Sequence, residues 1–379
     1  MQNPTSTLKI TLRQEGHEQA LSRLLERCLK REWQTLNSGW EDVLWAAGMA
    51  ALGRACGSEK LLDWARTWAN GHLDGEFSEL PFELGFPGFH PDFVGICLND
   101  YCGNWGMPLV LGELHAAAPN DRWIEQSDRF ARHIMTQSAR VGDGVIAHAA
   151  APDWVRTVWV DTLYYTAPVL AVAWQLTGNE DYLDEALRQC RLHAEILRDP
   201  LTGLYYHDGV PGQIPNAHAY WARGNGWIIM AIADTLVAAK SAGKKDASVT
   251  QLERQLHELA SVLLRHRHPG GLWPMVIDNP ESHLETSGSA MIAKGITRAL
   301  RAGLLPPFFR PELPRTLQGL LSQVDRLGAL TGAQRPAGHG GWETHRHSFM
   351  GECTYATGIL LSFLAELVDA GEIKLTIEA

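Results

Sequence analysis

No run of about 18 apolar residues occurs in this 379-residue chain, so no membrane-spanning helix is expected. The opening residues, Met1-Gln2-Asn3-Pro4-Thr5-Ser6-Thr7, lack the charged-then-apolar layout of a secretion signal, and a cytoplasmic location is expected. A disulfide framework is missing too. The six cysteines, at 28, 56, 97, 102, 190 and 353, form no CxxC pair and no regular spacing, which fits buried or idle thiols in a reducing compartment. Cys97 and Cys102 with His90 are poorly spaced for a metal, and none is expected. Positive charge is scarce: the net charge of -10 excludes nucleic acid as a natural partner, because phosphate binding needs a basic face. A small anionic substrate requires a site that concentrates cations locally.

What the chain does have is tryptophan, 14 residues against 8 tyrosines, in a composition that is 45% hydrophobic and ample for a large core. Planar indoles with one polar edge suit the apolar faces of sugar rings, although most of them are expected to fill helical packing. A helix is predicted from His17 to Trp33, with Leu21, Leu24, Leu25, Cys28 and Leu29 on one face. A more apolar helix follows from about Glu41 to Ala55, then an amphipathic one from Glu59 to His72. Further apolar helices are predicted near 104 to 117, 161 to 176, 225 to 240, 287 to 302 and 352 to 368, at a period of about 60 residues. The turn between partners also repeats, as Gly57-Ser58-Glu59, Pro119-Asn120-Asp121 and Gly178-Asn179-Glu180, each a breaker, a capping residue and an acidic first turn.

An all-round apolar helix must be buried, whereas a one-sided helix can cover it and face water. Six of each predict an all-α fold, an (α/α)6 barrel of six inner and six outer helices, in one domain spanning residues 1–379. The first amphipathic helix and the last apolar one lack sequence partners and are expected to seal the ring together. If the inner helices run the same way, the loops entering them share one rim. Those loops hold Trp40-Glu41-Asp42, Asn99-Asp100-Tyr101, Trp159-Val160-Asp161, Trp221 to Trp227, His283 to Ser289 and Arg346 to Glu352. Residues 74 to 103 and 329 to 348 break the repeat and read as long loops that wall the mouth or simply pad the surface.

Asp161 stands where an aromatic loop turns into a helix, a setting that raises a carboxyl pKa and suits a general acid. Asp100 is the second carboxyl of choice, since paired carboxyls in one pocket divide their pKa values. Either could instead be a helix N-cap, and Asp42, Asp143, Asp153 and Glu285 are weaker rivals. Arg223, between Trp221 and Trp227 in a Gly-Asn-Gly turn, is suited to a carboxylate, or alternatively to an ion pair that holds the turn. His148 and His207 end short apolar runs and read either as rim residues or as structural histidines. His339, His345 and His347 form a cluster without a ligand pattern.

Five stretches resemble the unsaturated uronyl hydrolases, glycoside hydrolase families 88 and 105, especially the unsaturated rhamnogalacturonyl hydrolases. They are Trp159-Val160-Asp161-Thr162-Leu163-Tyr164, Leu176-Thr177-Gly178-Asn179-Glu180-Asp181-Tyr182, Asp199-Pro200-Leu201-Thr202-Gly203-Leu204-Tyr205-Tyr206-His207, Trp221-Ala222-Arg223-Gly224-Asn225-Gly226-Trp227 and Leu284-Glu285-Thr286-Ser287-Gly288-Ser289-Ala290-Met291. The resemblance implies the same barrel, with Asp161 as general acid/base, Asp100 as the second acidic residue, and Trp159, His148, His207, Arg223 and Trp227 lining the sugar site, to which Trp40 on the rim is added. It also implies the substrate, a small anionic oligosaccharide such as an unsaturated disaccharide, and needs no metal or cofactor. The reaction it implies is hydration of the C4=C5 enol ether of a 4,5-unsaturated uronic acid. Three other readings remain at this point: an inverting glycosidase using Asp100 and Asp161 about 6.5 to 9.5 Å apart, an epimerase with two histidine bases, and a non-catalytic helical scaffold.

Overall fold

The computed structural model describes residues 17–74, 101–149, 157–213, 219–336, 345 and 348–377. Among the described residues thirteen α-helices run in sequence order: α1 Glu18–Lys30, α2 Trp40–Cys56, α3 Glu59–Leu73, α4 Met107–Ala117, α5 Asp121–Thr136, α6 Val160–Tyr164, α7 Ala167–Thr177, α8 Glu180–Leu197, α9 Ala222–Ser241, α10 Ala247–Arg265, α11 Thr286–Arg301, α12 Glu312–Leu321 and α13 Thr354–Asp369. The elements buried on nearly every side are α2, α4, α6 with α7, α9, α11 and α13. Each packs on the next, and α13 packs back on α2. The ring therefore closes between inner helices. The outer helix α1 is tied in separately, through Arg27 to Glu352 at 2.8 Å.

The local chemistry explains the boundaries. Asn120 and Asn179 cap α5 and α8 by accepting from the backbone N–H groups of Arg122 and Asp181. Ser58, expected to do the same for α3, makes no such bond. Gly57 and Gly178 end α2 and α7 in the left-handed conformation, at φ 67° and 73°. The single helix predicted from 161 to 176 is broken, because Pro168 has no N–H to continue the ladder and its ring crowds the preceding turn. Thr166 donates its hydroxyl to the Thr162 carbonyl at the break. A short independent helix, α6, is left to carry Asp161.

The inner helices share one direction, so the barrel has two unlike ends. At the C-terminal end, Arg54 pairs with Glu113 and Asp369, Arg298 with Asp234 and Glu366, and Arg301 with Glu366. These pairs surround a cavity of about 490 Å³ that also contains Lys294 and Tyr164. At the N-terminal end four two-stranded antiparallel ladders ring the mouth among the described residues: β1 Arg140–Val141 with β2 Val145–Ile146, β3 Val158–Trp159 with β4 Asp208–Gly209, β5 Trp273–Pro274 with β6 Leu284–Glu285, and β7 Ala333–Gln334 with β8 Met350–Gly351. No described helix is long and apolar enough to cross a membrane. The described cysteines, 28, 56, 102, 190 and 353, are free thiols, whereas His90 and Cys97 lie outside the described residues.

Ring closure depends on backbone contact between α2 and α13. A Cβ on Gly358 would stand 2.2 Å from the Leu44 carbonyl oxygen, and one on Gly48 would stand 2.1 Å from the Gly358 oxygen. Neither helix can yield without opening the ring. Gly358→Ala is expected to lose about 2–3 kcal/mol of stability, seen as a fall of several degrees in Tm by calorimetry. An unchanged Tm would mean that the seam is looser than described.

Candidate active site

The β3–β4 ladder sets the geometry at the mouth. Trp159 pairs with Asp208, and the Val160 N–H donates to the His207 carbonyl at 3.1 Å, so His207 is held beside the first turn of α6. Asp161 is the second residue of that turn. Trp159 occupies the N-cap position without a side-chain bond, so the Asp161 carboxyl is not a helix cap. Its side chain keeps 18% of its surface exposed, yet Oδ2 is enclosed and has no hydrogen-bond partner. Burial pushes its pKa up to about 6, while the Arg223 guanidinium pulls the other way and Trp227 also favours the charged form.

His207 Nε2 lies 3.9 Å from Asp161 Oδ2, too far for a hydrogen bond. Burial, followed by the neighbouring His345, holds His207 well below its ordinary pKa. The ring is therefore neutral near pH 7, and the contact is not an ion pair. Neither of its nitrogens has a partner. His148 behaves differently: its ring stacks on Trp159 at 4.0 Å and 8°, and Nδ1 is 3.0 Å from the Thr162 hydroxyl. Thr162 follows Asp161 directly, so His148 braces α6 from behind.

Residues 224–226, expected as a turn, are the opening turn of α9. Gly226 lies where a Cβ would come within 2.6 Å of Met291 on α11, so the small residues serve helix approach. Asn225 accepts from the Tyr205 N–H at 2.9 Å and donates to the Tyr205 and Trp221 carbonyls, which fixes the strand leading to His207. Arg223 and Trp227, one helical turn apart, share the face toward the mouth. Trp227 is fully buried against Tyr164 at 5.0 Å. The Arg223 guanidinium lies 4.2 Å from the Trp221 ring, and its Nη1 donates to the Gln334 carbonyl at 2.8 Å and the Tyr355 hydroxyl at 2.7 Å. Part of the fork expected to meet a ligand thus holds the protein, while Nε has no partner.

Asp161, Trp159, His148, His207, Arg223 and Trp227 come together. Trp40 stands across Tyr355 from Arg223, its ring 4.9 Å from the tyrosine and its carbonyl accepting from Tyr165. Asp100 and Asp153 lie outside the described residues. Glu285 is not an acid waiting for a substrate, because its oxygens cap α11 at Ser287 and Gly288 and also accept from the Gln334 N–H. Asp42 accepts from the Asn37 N–H, and Asp143 is exposed in the β1–β2 turn.

Glu41 and His345, to which the sequence gives no role, and Gln334 and Tyr355, which it does not mark, also lie at the mouth. Burial pushes Glu41 up to about 7, with Asp42 adding to it and Arg223 and Arg335 opposing. Its only signal was membership of the first rim loop. Gln334 carried no signal, and His345 showed only as one of a histidine cluster without a ligand pattern, since both lie in a segment without period.

The fold matches solved structures. A possible member of family GH105 from Salmonella enterica superposes with a TM-score of 0.77 at 21% identity, covering 93% of both chains. An unsaturated glucuronyl hydrolase from a Bacillus species superposes at 0.69 with 16% identity, over 93% of this chain and 96% of that one. In sequence, the unsaturated rhamnogalacturonyl hydrolase YesR of Bacillus subtilis is 26% identical over 323 residues, 83% of this chain and 84% of that protein. An unsaturated 3S-rhamnoglycuronyl hydrolase of Formosa agariphila is 28% identical over 158 residues, 39% of this chain and 41% of its own length. The model of Glycosyl Hydrolase Family 88 matches residues 16–370, and the chain belongs to that family.

Proposed function

We propose that this protein is a glycoside hydrolase that removes a 4,5-unsaturated uronic acid from the non-reducing end of a lyase-generated oligosaccharide. The observation that carries the reading is the Asp161 carboxyl, enclosed and without a partner at Oδ2, a burial that pushes its pKa up to about 6. A carboxyl in that state can give a proton to carbon and then take one from water, both near neutral pH. The C4=C5 bond of an unsaturated uronate is an enol ether, electron-rich at C4. Asp161 protonates C4, and the charge that develops at C5 is shared with the ring oxygen. Water adds at C5 and gives its proton to the Asp161 carboxylate. The resulting hemiketal opens, and the aglycone sugar leaves with its oxygen.

The remaining roles follow from placement. Arg223 supplies the local cation that an acidic protein needs for an anionic substrate, and it also keeps the Asp161 pKa from rising further. His207 and Trp227 offer neutral groups to sugar hydroxyls, Trp159 and Trp40 offer ring faces, and His148 holds α6. Asp100 is read as the second acidic residue, placed to position the substrate. An unsaturated disaccharide is the smallest substrate with this chemistry. We read the whole chain, 1–379, as one catalytic domain, supported by closure of α13 on α2, and its free thiols support a cytoplasmic place of work.

Asp161→Asn is expected to lower kcat about 10²–10⁴-fold on unsaturated disaccharides, followed as loss of enol-ether ultraviolet absorbance. The same change should stabilise the fold near pH 7. A carboxyl whose folded pKa exceeds its unfolded value of 3.8 favours the folded state only while protonated, and that contribution is lost as pH rises through about 6. Removing the charge should therefore gain on the order of 2 kcal/mol at pH 7.5 and little at pH 4, measured as Tm against pH. An Asn variant of full activity would sink the proposal.

The wild-type kcat/KM should decline above about pH 6 as Asp161 loses its proton. Because Arg223 lowers that pKa, Arg223→Gln should move the alkaline limb to higher pH while raising KM about tenfold or more, in line with loss of a charged hydrogen bond. A limb unmoved by the substitution would separate Arg223 from the acid.

A further inference from the structure

Gln334 lies at the junction of β7, α9, α11 and α13 and uses every polar atom it has. Its N–H donates to Glu285 Oε1 at 2.9 Å, and its carbonyl accepts from Arg223 Nη1 at 2.8 Å and from the Tyr355 hydroxyl. The side-chain amide is equally occupied: Trp221 Nε1 lies 2.6 Å from Oε1, while Nε2 meets Ser348 Oγ at 2.7 Å and His345 Nδ1 at 3.1 Å. The orientation of this amide follows from chemistry. An indole N–H can only donate, so the atom facing Trp221 must be the carbonyl oxygen, and the atom facing His345 must be the NH₂ group. An amide nitrogen in turn only donates, so His345 Nδ1 accepts. In a neutral imidazole the proton then resides on Nε2.

That Nε2–H points at nothing. His345 is fully buried, and its Nε2 has no hydrogen-bond partner. Burial, with Arg223 adding to it, pushes the ring down to about 4, so it stays neutral and keeps this tautomer around pH 7. The ring stacks on Trp221 at 5.2 Å and 21°, and its centroid is 5.6 Å from that of His207. His207 in turn is 3.9 Å from Asp161 Oδ2. Leaving a buried donor unmatched costs about 1–3 kcal/mol, and here the unmatched donors, Arg223 Nε and His345 Nε2, flank one indole beside the proposed acid.

We propose that His345 is a substrate-binding residue whose Nε2–H donates to an oxygen acceptor on the unsaturated uronate, and that Gln334 is the positioning residue that keeps the proton on that nitrogen. The proposal rests on the functional reading above in its substrate half only. The tautomer half concerns the free protein. It also assigns His345 a chemistry: a ring held as Nε2–H can donate there but cannot act as a base, which separates it from the two-histidine epimerase reading.

The test has two arms on the full chain. Long-range ¹H–¹⁵N correlation on histidine-labelled protein, with His345→Asn to assign the signals, should show a protonated Nε2 and an unprotonated Nδ1 at His345. In Gln334→Glu the carboxylate accepts from both neighbours, and the proton should move to Nδ1. Kinetically, His345→Phe keeps the stack and loses the donor, and KM should rise tenfold or more with a smaller change in kcat. His345→Asn, which keeps an N–H, should recover part of that loss. Gln334→Glu should show the same KM-weighted defect in protein that remains folded by circular dichroism, with a Tm below wild type because the added carboxylate is buried. A wild-type signal with the proton on Nδ1 overturns the proposal whatever the enzyme turns over. An unchanged KM in folded His345→Phe overturns the substrate half while Asp161→Asn remains inactive. Absence of wild-type turnover on every unsaturated disaccharide overturns the functional reading and that half with it, leaving the tautomer result to stand by itself.

Discussion

A polar atom shut away from water must find a partner inside the protein, and that constraint shapes the mouth of this barrel. Gln334 is its clearest expression. One fully buried glutamine joins β7 to the cap of α11, to Arg223 on α9, to Tyr355 on α13 and to Trp221, so four elements are fixed through a single residue. Glu285 has the same character, with both carboxyl oxygens turned to backbone donors. Against that background the unmatched atoms stand out. Asp161 Oδ2, His207 Nδ1 and Nε2, Arg223 Nε, Trp227 Nε1 and His345 Nε2 gather in one region, and others such as Trp45 Nε1 and Trp68 Nε1 are scattered through the helix layers.

The two ends of the ring resolve charge in opposite ways. At the C-terminal end every cation named has a carboxylate within salt-bridge distance, and the groups offset one another around a polar cavity. At the N-terminal end a carboxyl is enclosed with a guanidinium near it and no direct pairing. Its pKa stays intermediate as a result: burial raises it, and Arg223 limits the rise. Had Asp161 been bonded directly to Arg223, its pKa would fall below about 6 and its proton would be lost at lower pH. Had Arg223 been absent, the carboxyl would hold its proton more tightly. The break at Pro168 belongs to the same design, because a short α6 can be oriented by the β3–β4 ladder and by His148 independently of the longer inner helix that follows.

Much of this was open to reading from the chain. The period of about 60 residues and the contrast between apolar and one-sided helices gave the ring, and Trp159-Val160-Asp161 and Trp221 to Trp227 marked its mouth. The errors were local. Gly224-Asn225-Gly226 looked like a turn because glycine and asparagine favour turns, but here the glycines let α9 approach its neighbours and Asn225 clamps Tyr205. Glu285 was a plausible acid by position and proved to be a cap.

The sequence alone determined which helices face inward and which rim loops carry aromatic and acidic residues, because periodicity and composition are properties of the chain itself. Only the tertiary structure decided that Gln334 holds Arg223 and that the His345 ring lies 5.6 Å from His207, that part of Arg223 is committed to the protein, and that Asp161 is enclosed with its Oδ2 unmatched. The reason is physical: a pKa, a tautomer and an unmatched hydrogen bond depend on atoms brought together from more than 100 residues apart, as Arg223 and Gln334 are at a separation of 111, and no local pattern encodes that meeting.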